Sequence, residues 1–336
     1  MQGCSSAPPF HSFGKREEII QTGGIKMCRY IIKRILMMIP VIIGVSFLVF
    51  FIMDLAPGDA IDFLAPEGAT QEEMTELRKE MGLDAPVVVR YVRYMEGMLQ
   101  GDMGVSYITQ RDVFDTYILA LPETVKLAFA SVLLAVMLSI PLGVYAAIHR
   151  GSIQDNLCAG FSILGLSMPN FWLGLLLIII FSLKLHWLPS VGDEQATSII
   201  LPAVTIATGL MATLTRTTRS TMLDILGQDY LRTARAKGLK EKRIISVHGV
   251  KNAMIPITTI IGTQLAGVLG GSVLTETVFS WPGVGRLIVD SLNMRDTPLV
   301  TGSIIMTTVL LSIVLLAVDL LYAVIDPRIR VQYKGS

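Results

Sequence analysis

The sequence predicts an all-α polytopic membrane protein with six transmembrane helices, and three observations carry that class. The 336 residues are 52% hydrophobic and only 16% charged, against roughly a quarter charged in soluble domains. Six stretches free of Asp, Glu, Lys and Arg, residues 35–53, 127–148, 157–183, 196–215, 252–275 and 297–318, each approach or exceed the ~20 apolar residues a bilayer crossing needs. Lys and Arg, finally, concentrate in alternate connections, as cytoplasmic loops require.

The first span follows Arg29, Lys33 and Arg34. It is too long for a signal-peptide core, and the Asp-Leu-Ala-Pro-Gly after it is a poor cleavage site, so it reads as a retained anchor. Residues 1–26 lack a period and contain turn formers, which predicts a disordered extension ahead of Met27. The connection 54–123 holds five Lys/Arg against fourteen Asp/Glu, and 216–251 holds nine against three. The first is therefore expected outside the cell and the second inside. Both termini then fall in the cytoplasm, the C-terminal one with Arg328, Arg330 and Lys334. The implied division is an extension (1–26), the first helix with its acidic extracytoplasmic segment (27–119), a core (120–326) carrying the cytoplasmic loop 216–251, and a tail (327–336).

Within the acidic segment, Thr70 and Glu73 form a capping box. Met74, Leu77 and Met81 make an apolar stripe that Gly82 ends. A second amphipathic helix is expected from Pro86, with Val87, Tyr91, Tyr94, Met95 and Met98 on its apolar side and Gly101 near its end. They read first as surface helices, which is compatible with a docking face for an external partner. Pro141 in the second span and Pro169-Asn170 in the third predict kinks or breaks. The fifth span places Thr258, Gly262, Ala266 and Gly270 on one helical face. Such small residues let backbones approach in lipid, within this chain or against a second subunit across a path. Asn170 and residues 273–281 are further candidates for lining that path. Asp319, near Asp326 and Arg328, reads as interfacial.

Chemistry of its own is absent. There is no G-x-x-x-x-G-K-[ST] loop, no H-E-x-x-H and no G-x-S-x-G. His11, His149, His186 and His248 lack ligand spacing, and Cys4, Cys28 and Cys158 are far apart. No enzyme activity, cofactor, metal or nucleic-acid partner is expected. Uphill movement would need a gradient or a partner, and apolar spans without ionisable residues argue against an ion-coupled carrier.

The loop 216–251 is the exception to plainness. Asp229 is placed to cap a short helix over 230–237, Gly238 to end it, and a second helix runs from about Lys240 toward Pro256. An exposed helix of this kind suits a groove on another protein. Asp229-Tyr230, Ala234 and Gly238, followed by His248, Asn252 and Pro256, resemble the cytoplasmic loop signature of ATP-binding-cassette importer permeases in the dipeptide, oligopeptide and nickel branch. Three further stretches resemble the first of that branch's two permeases: MGLDAPVVVRYVRYMEGMLQGDMGVSY (81–107), VLTETVFSWPGVGRLIVDS (273–291) and DLLYAVIDPRIR (319–330). The likeness covers residues 27–330, with Asp229 where Glu is more usual. It implies a type I importer permease fold in the cell membrane. Its implied partners are a second homologous permease, two ATPase subunits that hydrolyse ATP, and an extracytoplasmic solute-binding protein. Asp229 would then head the helix seated on an ATPase. Dipeptides or oligopeptides are the first expectation for the substrate, with nickel or another small solute next.

Overall fold

The computed structural model describes residues 13–325 except 57, 59, 67, 193 and 194. Among the described residues every regular element is helical, apart from an isolated antiparallel bridge between Val105 and Asp112. In chain order these are α1 (Phe13–Leu55), α2 (Ile61–Leu64), α3 (Gln71–Glu80), α4 (Val87–Leu99), α5 (Val113–Ile148), α6 (Ile153–Ser167), α7 (Asn170–Leu177), α8 (Ile200–Leu226), α9 (Asp229–Ala236), α10 (Glu241–Arg243), α11 (Lys251–Gly271), α12 (Val273–Val278), α13 (Val284–Asn293) and α14 (Thr297–Ile325). Two π-helical stretches interrupt them: π1 (Ile178–Lys184) continues α7, and π2 (Ile244–Val250) joins α10 to α11.

Five helical stretches are long and apolar enough to cross a membrane, and α6 with α7–π1 makes a sixth candidate bent by 99°. The expected third span is thus two helices. Pro169 explains the break, because it disfavours the helical conformation at Met168, whose ψ is 124°. Pro141, by contrast, is accommodated inside α5 without ending it, as is Pro122. Several spans start or end away from the hydropathy boundaries. α5 begins at Val113, capped by the Asp112 carboxylate on the Phe114 and Asp115 amides, and α8 runs on to Leu226 because nothing stops it before Gly227.

The chain divides into two compact units at Val45/Ser46. The first contains the N-terminal part of α1, where Ile35, Leu36, Met37, Ile39 and Val41 are exposed. Residues 1–12, part of the expected extension, lie outside the described residues, and α1 is helical from Phe13.

The second unit is built on α5 packed against α8. Ser131, Ala135, Ser139, Gly143 and Ala147 recur every four residues along α5, and all are buried. At Gly143 an added β-carbon would lie 2.6 Å from Thr218 Cβ, so the backbones meet there with no room for a side chain. Leu127, Ala128 and Val132 of α5, Ile206 and Leu210 of α8, and Val268 and Leu269 of α11 form one core. Ala147, Met222, Ala253 and Ile257 form a second.

The acidic segment folds as its signals dictate. Thr70 and Glu73 make the reciprocal capping box, and Gly82 ends α3 with φ +64°. α4 spans the expected helix, Pro86 preceding it. Its Tyr91 hydroxyl lies 2.9 Å from Ser46 Oγ and its ring meets Phe47 and Phe50 edge-on. Arg90 pairs with Asp54. The outer turns of α1, residues 46–54, therefore serve as the platform for α4.

Candidate functional site

The loop 216–251 is folded. α9 begins at Asp229, with Gln228 in the capping position and no side-chain cap. Asp229 thus stands one residue inside the place expected for it. It still puts a carboxylate in the first turn, where the helix dipole favours one, and it lies 3.8 Å from Arg232 with 97% of its side chain exposed. At the other end the Gly238 amide donates to the Arg235 carbonyl and the Leu239 amide to the Ala234 carbonyl, at 2.9 and 3.3 Å. That is a Schellman motif. It requires the left-handed conformation Gly238 adopts, φ +75°. Leu231 is fully buried and anchors α9, which packs against π2. Arg235 is bidentate to Glu241, with Nη2 to Oε1 at 2.8 Å, and this bond holds the guanidinium's pKa above its usual value.

Three of the expected residues meet in space. The Asn252 amide donates to the His248 carbonyl at 2.8 Å and to the Tyr230 hydroxyl at 3.0 Å. Tyr230 Oη in turn lies 3.5 Å from the same His248 carbonyl. Pro256 follows one turn later inside α11. Asp229, Arg232 and Lys237 face outward from this cluster, exposed, while Ala234 is half-buried. The face is charged and helical, with an apolar root.

The small-residue row of α11 is intrachain where it is closest. A β-carbon at Gly262 would fall 2.7 Å from the Val318 methyls, and one at Gly270 2.6 Å from Leu311 Cδ1, both on α14. Ala266 is buried, and Thr258 returns its hydroxyl to the Met254 carbonyl. Asn170 opens α7, its amide oxygen against Gly209, 3.3 Å from where a β-carbon would sit.

Buried charges lie just beyond the hydropathy windows. Glu276, fully buried on α12, accepts from Ser272 Oγ at 2.8 Å, Thr124 Oγ1 at 3.0 Å and the Gly285 and Arg286 amides at 2.7 and 3.2 Å. The carboxylate ties the first turn of α13 to α5, and Gly283 is needed because a β-carbon there would overlap it. Asp155, 3% exposed, is gripped by both nitrogens of an Arg219 fork, Nη2 to Oδ2 at 2.7 Å, which joins α6 to α8. Asp296, also buried, caps α14 through the Leu299 amide and receives Ser106 Oγ and the Tyr107 amide. A cavity of about 270 Å³ beside it is lined by Asp54, Arg90, Tyr107 and Arg295. Burial pushes the Tyr107 phenol above its usual pKa, with Arg90 opposing.

The family model described as binding-protein-dependent transport system inner membrane component matches residues 139–331, and the model for its N-terminal part matches residues 27–128. The chain belongs to this family. It is therefore a multi-pass inner-membrane component of a binding-protein-dependent transport system, a transporter subunit rather than an enzyme. The oligopeptide transport system permease protein AppB of Bacillus subtilis is 42% identical, aligning with 90% of this chain and all of its own length. The dipeptide permease DppB of Escherichia coli K12 is 37% identical over 90% of this chain and 99% of its own. The glutathione permease GsiC of the same strain is 40% identical with the same coverage. An inward-facing MetNI methionine ABC transporter structure superposes with TM-score 0.54 at 17% identity, over 63% of this chain and 97% of its own, which speaks to the fold.

Proposed function

We propose that this chain is the first of two homologous permease subunits in an ATP-driven importer of short peptides. Two ATPase subunits and an extracytoplasmic binding protein complete the assembly. The observation that carries the mechanical half is α9: a short helix with a carboxylate in its first turn, closed by Gly238 and rooted through Leu231. Its outward side chains are exposed, and Asp229 and Arg232 pair with each other at 3.8 Å rather than tying α9 to another element. In this reading α9 sits in a cleft of one ATPase, and closure of the ATPases on ATP moves it and the helices joined to it. The termini and the loop 216–251 are cytoplasmic, and the acidic segment is external. The substrate half rests on the relatives. Oligopeptides, dipeptides and glutathione all carry peptide bonds, so dipeptides or oligopeptides come first and nickel or another small solute second.

An ion-coupled carrier would need a carboxylate free to bind a cation at mid-path. Glu276 is the buried candidate, but its two oxygens already accept four hydrogen bonds, which fills the acceptor capacity of a carboxylate.

Gly238→Pro is expected to abolish coupled uptake. It removes the amide bonded to Arg235, and proline cannot adopt φ +75°. Asp229→Lys reverses the charge on the proposed contact face. Both variants should insert normally in the membrane and lose ATP-dependent peptide uptake. Wild-type uptake in both would refute the role of α9.

A further inference from the structure

The helix that leaves α9 is not regular. π2 runs from Ile244 to Val250 between two α-helical stretches, and π-helical hydrogen bonds span five residues rather than four, which makes such segments short and often marks functional sites. Three further features loosen the same ladder. Ser246 turns its hydroxyl back onto the Lys242 carbonyl at 2.8 Å. The Asn252 side-chain amide occupies the His248 carbonyl. Pro256, lacking an amide hydrogen, leaves a carbonyl one turn earlier without a main-chain donor. Side chains thus occupy the Lys242 and His248 carbonyls, and the one on His248 also bonds the Tyr230 hydroxyl on α9.

We propose that π2 is a switchable hinge whose register α9 sets through the Tyr230–Asn252–His248 carbonyl strut. Asn252 is in this view a positioning residue. Displacing α9 pulls Tyr230 away, the Asn252 amide releases the His248 carbonyl, and the freed carbonyl accepts from the main-chain amide four residues on. π2 then tightens to α-helix. A change from five-residue to four-residue bonding alters the helix by about one residue of register, roughly 100° of rotation and 1.5 Å of rise. α11 would consequently turn relative to α9, and α11 packs against α5, α8 and α14. The inference rests on the reading of α9 as the element an ATPase moves, and it adds the part that converts that push into rotation.

The test uses the complete importer in proteoliposomes, as wild type, Asn252→Ala and Tyr230→Phe. Uptake of a dipeptide per ATP hydrolysed is measured, with hydrogen exchange of residues 244–256 without nucleotide and in an ATP-trapped state. In wild type these amides should exchange more slowly in the trapped state. In Asn252→Ala that difference should vanish and uptake per ATP should fall about tenfold, within the range typical of coupling between sites. Tyr230→Phe, which removes one hydroxyl and leaves packing intact, should move both readouts in the same direction. Unchanged uptake per ATP in both variants, or identical exchange of residues 244–250 in the two wild-type states, would overturn the hinge and leave the role of α9 standing. Wild-type uptake that needs no ATPase subunit would overturn both.

Discussion

Thr124 donates its hydroxyl to Glu276 and accepts the Val284 amide at 2.8 Å, so one buried side chain serves two buried groups. Thr124→Val keeps the shape, removes the acceptor of the buried Val284 amide and takes away one of the four donors to Glu276, which should cost about 2 kcal/mol. The thermal midpoint of the detergent-solubilised protein should drop accordingly. Valine at the exposed Thr75, which bonds only its own helix, should leave it unchanged. Glu276 lies in the stretch 273–281, but its burial has no mark in the sequence, because the apolar window ends at Thr275, one residue short. Asp155 and Arg219 fell just outside windows in the same way. Hydropathy finds segments by averaging, and an ionic group whose partner comes from a distant helix leaves no local mark. Thr70, Glu73 and Gly238 were legible because their partners are within four or five residues, so the chemistry is written in the spacing. Glu73 shows the consequence. The Thr70 amide and hydroxyl hold its carboxyl below the usual pKa. The cap is thus complete at neutral pH and is lost as pH falls through that lowered value. Acidification should accordingly lower the protection factor of the Thr70 amide, its exchange relative to the intrinsic rate at each pH, before the rest of α3 responds.

Helix–helix packing decides the next level. Gly262 of α11 lies against Val318 of α14, whereas Gly267 on the same helix has nothing within 4 Å of an added β-carbon. Gly262→Leu should therefore destabilise by about 1–3 kcal/mol through overpacking, and Gly267→Ala should be neutral or slightly stabilising, both read as thermal midpoints. The small-residue row on α11 was visible in the sequence, but which surface it meets was not, since close approach can be to any helix. The equivalent row on α5 (Ser131, Ala135, Ser139, Gly143, Ala147) is as regular, but a span that is strongly apolar throughout masks it. Helix ends were less legible than helix existence. α8 continues past its apolar part because Arg216, Arg219 and Asp224 are compatible with helix, and only the structure shows Arg219 turning back to α6. Neither π stretch has a sequence signal short of the Asn252–Pro256 spacing.

At the scale of the molecule, alternating loop charge predicts which side each connection occupies. In a cysteine-free background, an impermeant thiol reagent applied to intact cells should label Glu76→Cys and spare Lys240→Cys. The reverse pattern would invert the topology and remove α9 from any cytoplasmic ATPase. Fold class, span number and family were all accessible from sequence, because a bilayer imposes apolar length and charge asymmetry on any chain that crosses it. Substrate identity is written far less clearly. The chain offers no ligating cluster of three or more His, Cys, Asp or Glu among its described residues, and its relatives span several peptides. In the function proposed above, a separate ATPase drives this permease mechanically through α9. Photo-cross-linkers placed at Asp229, Arg232 and Lys237 in the assembled transporter test it directly. Adducts with an ATP-binding subunit whose yield changes when ATP is bound are the predicted result. Adducts with no such subunit, in an assembly that still imports peptide, would contradict it.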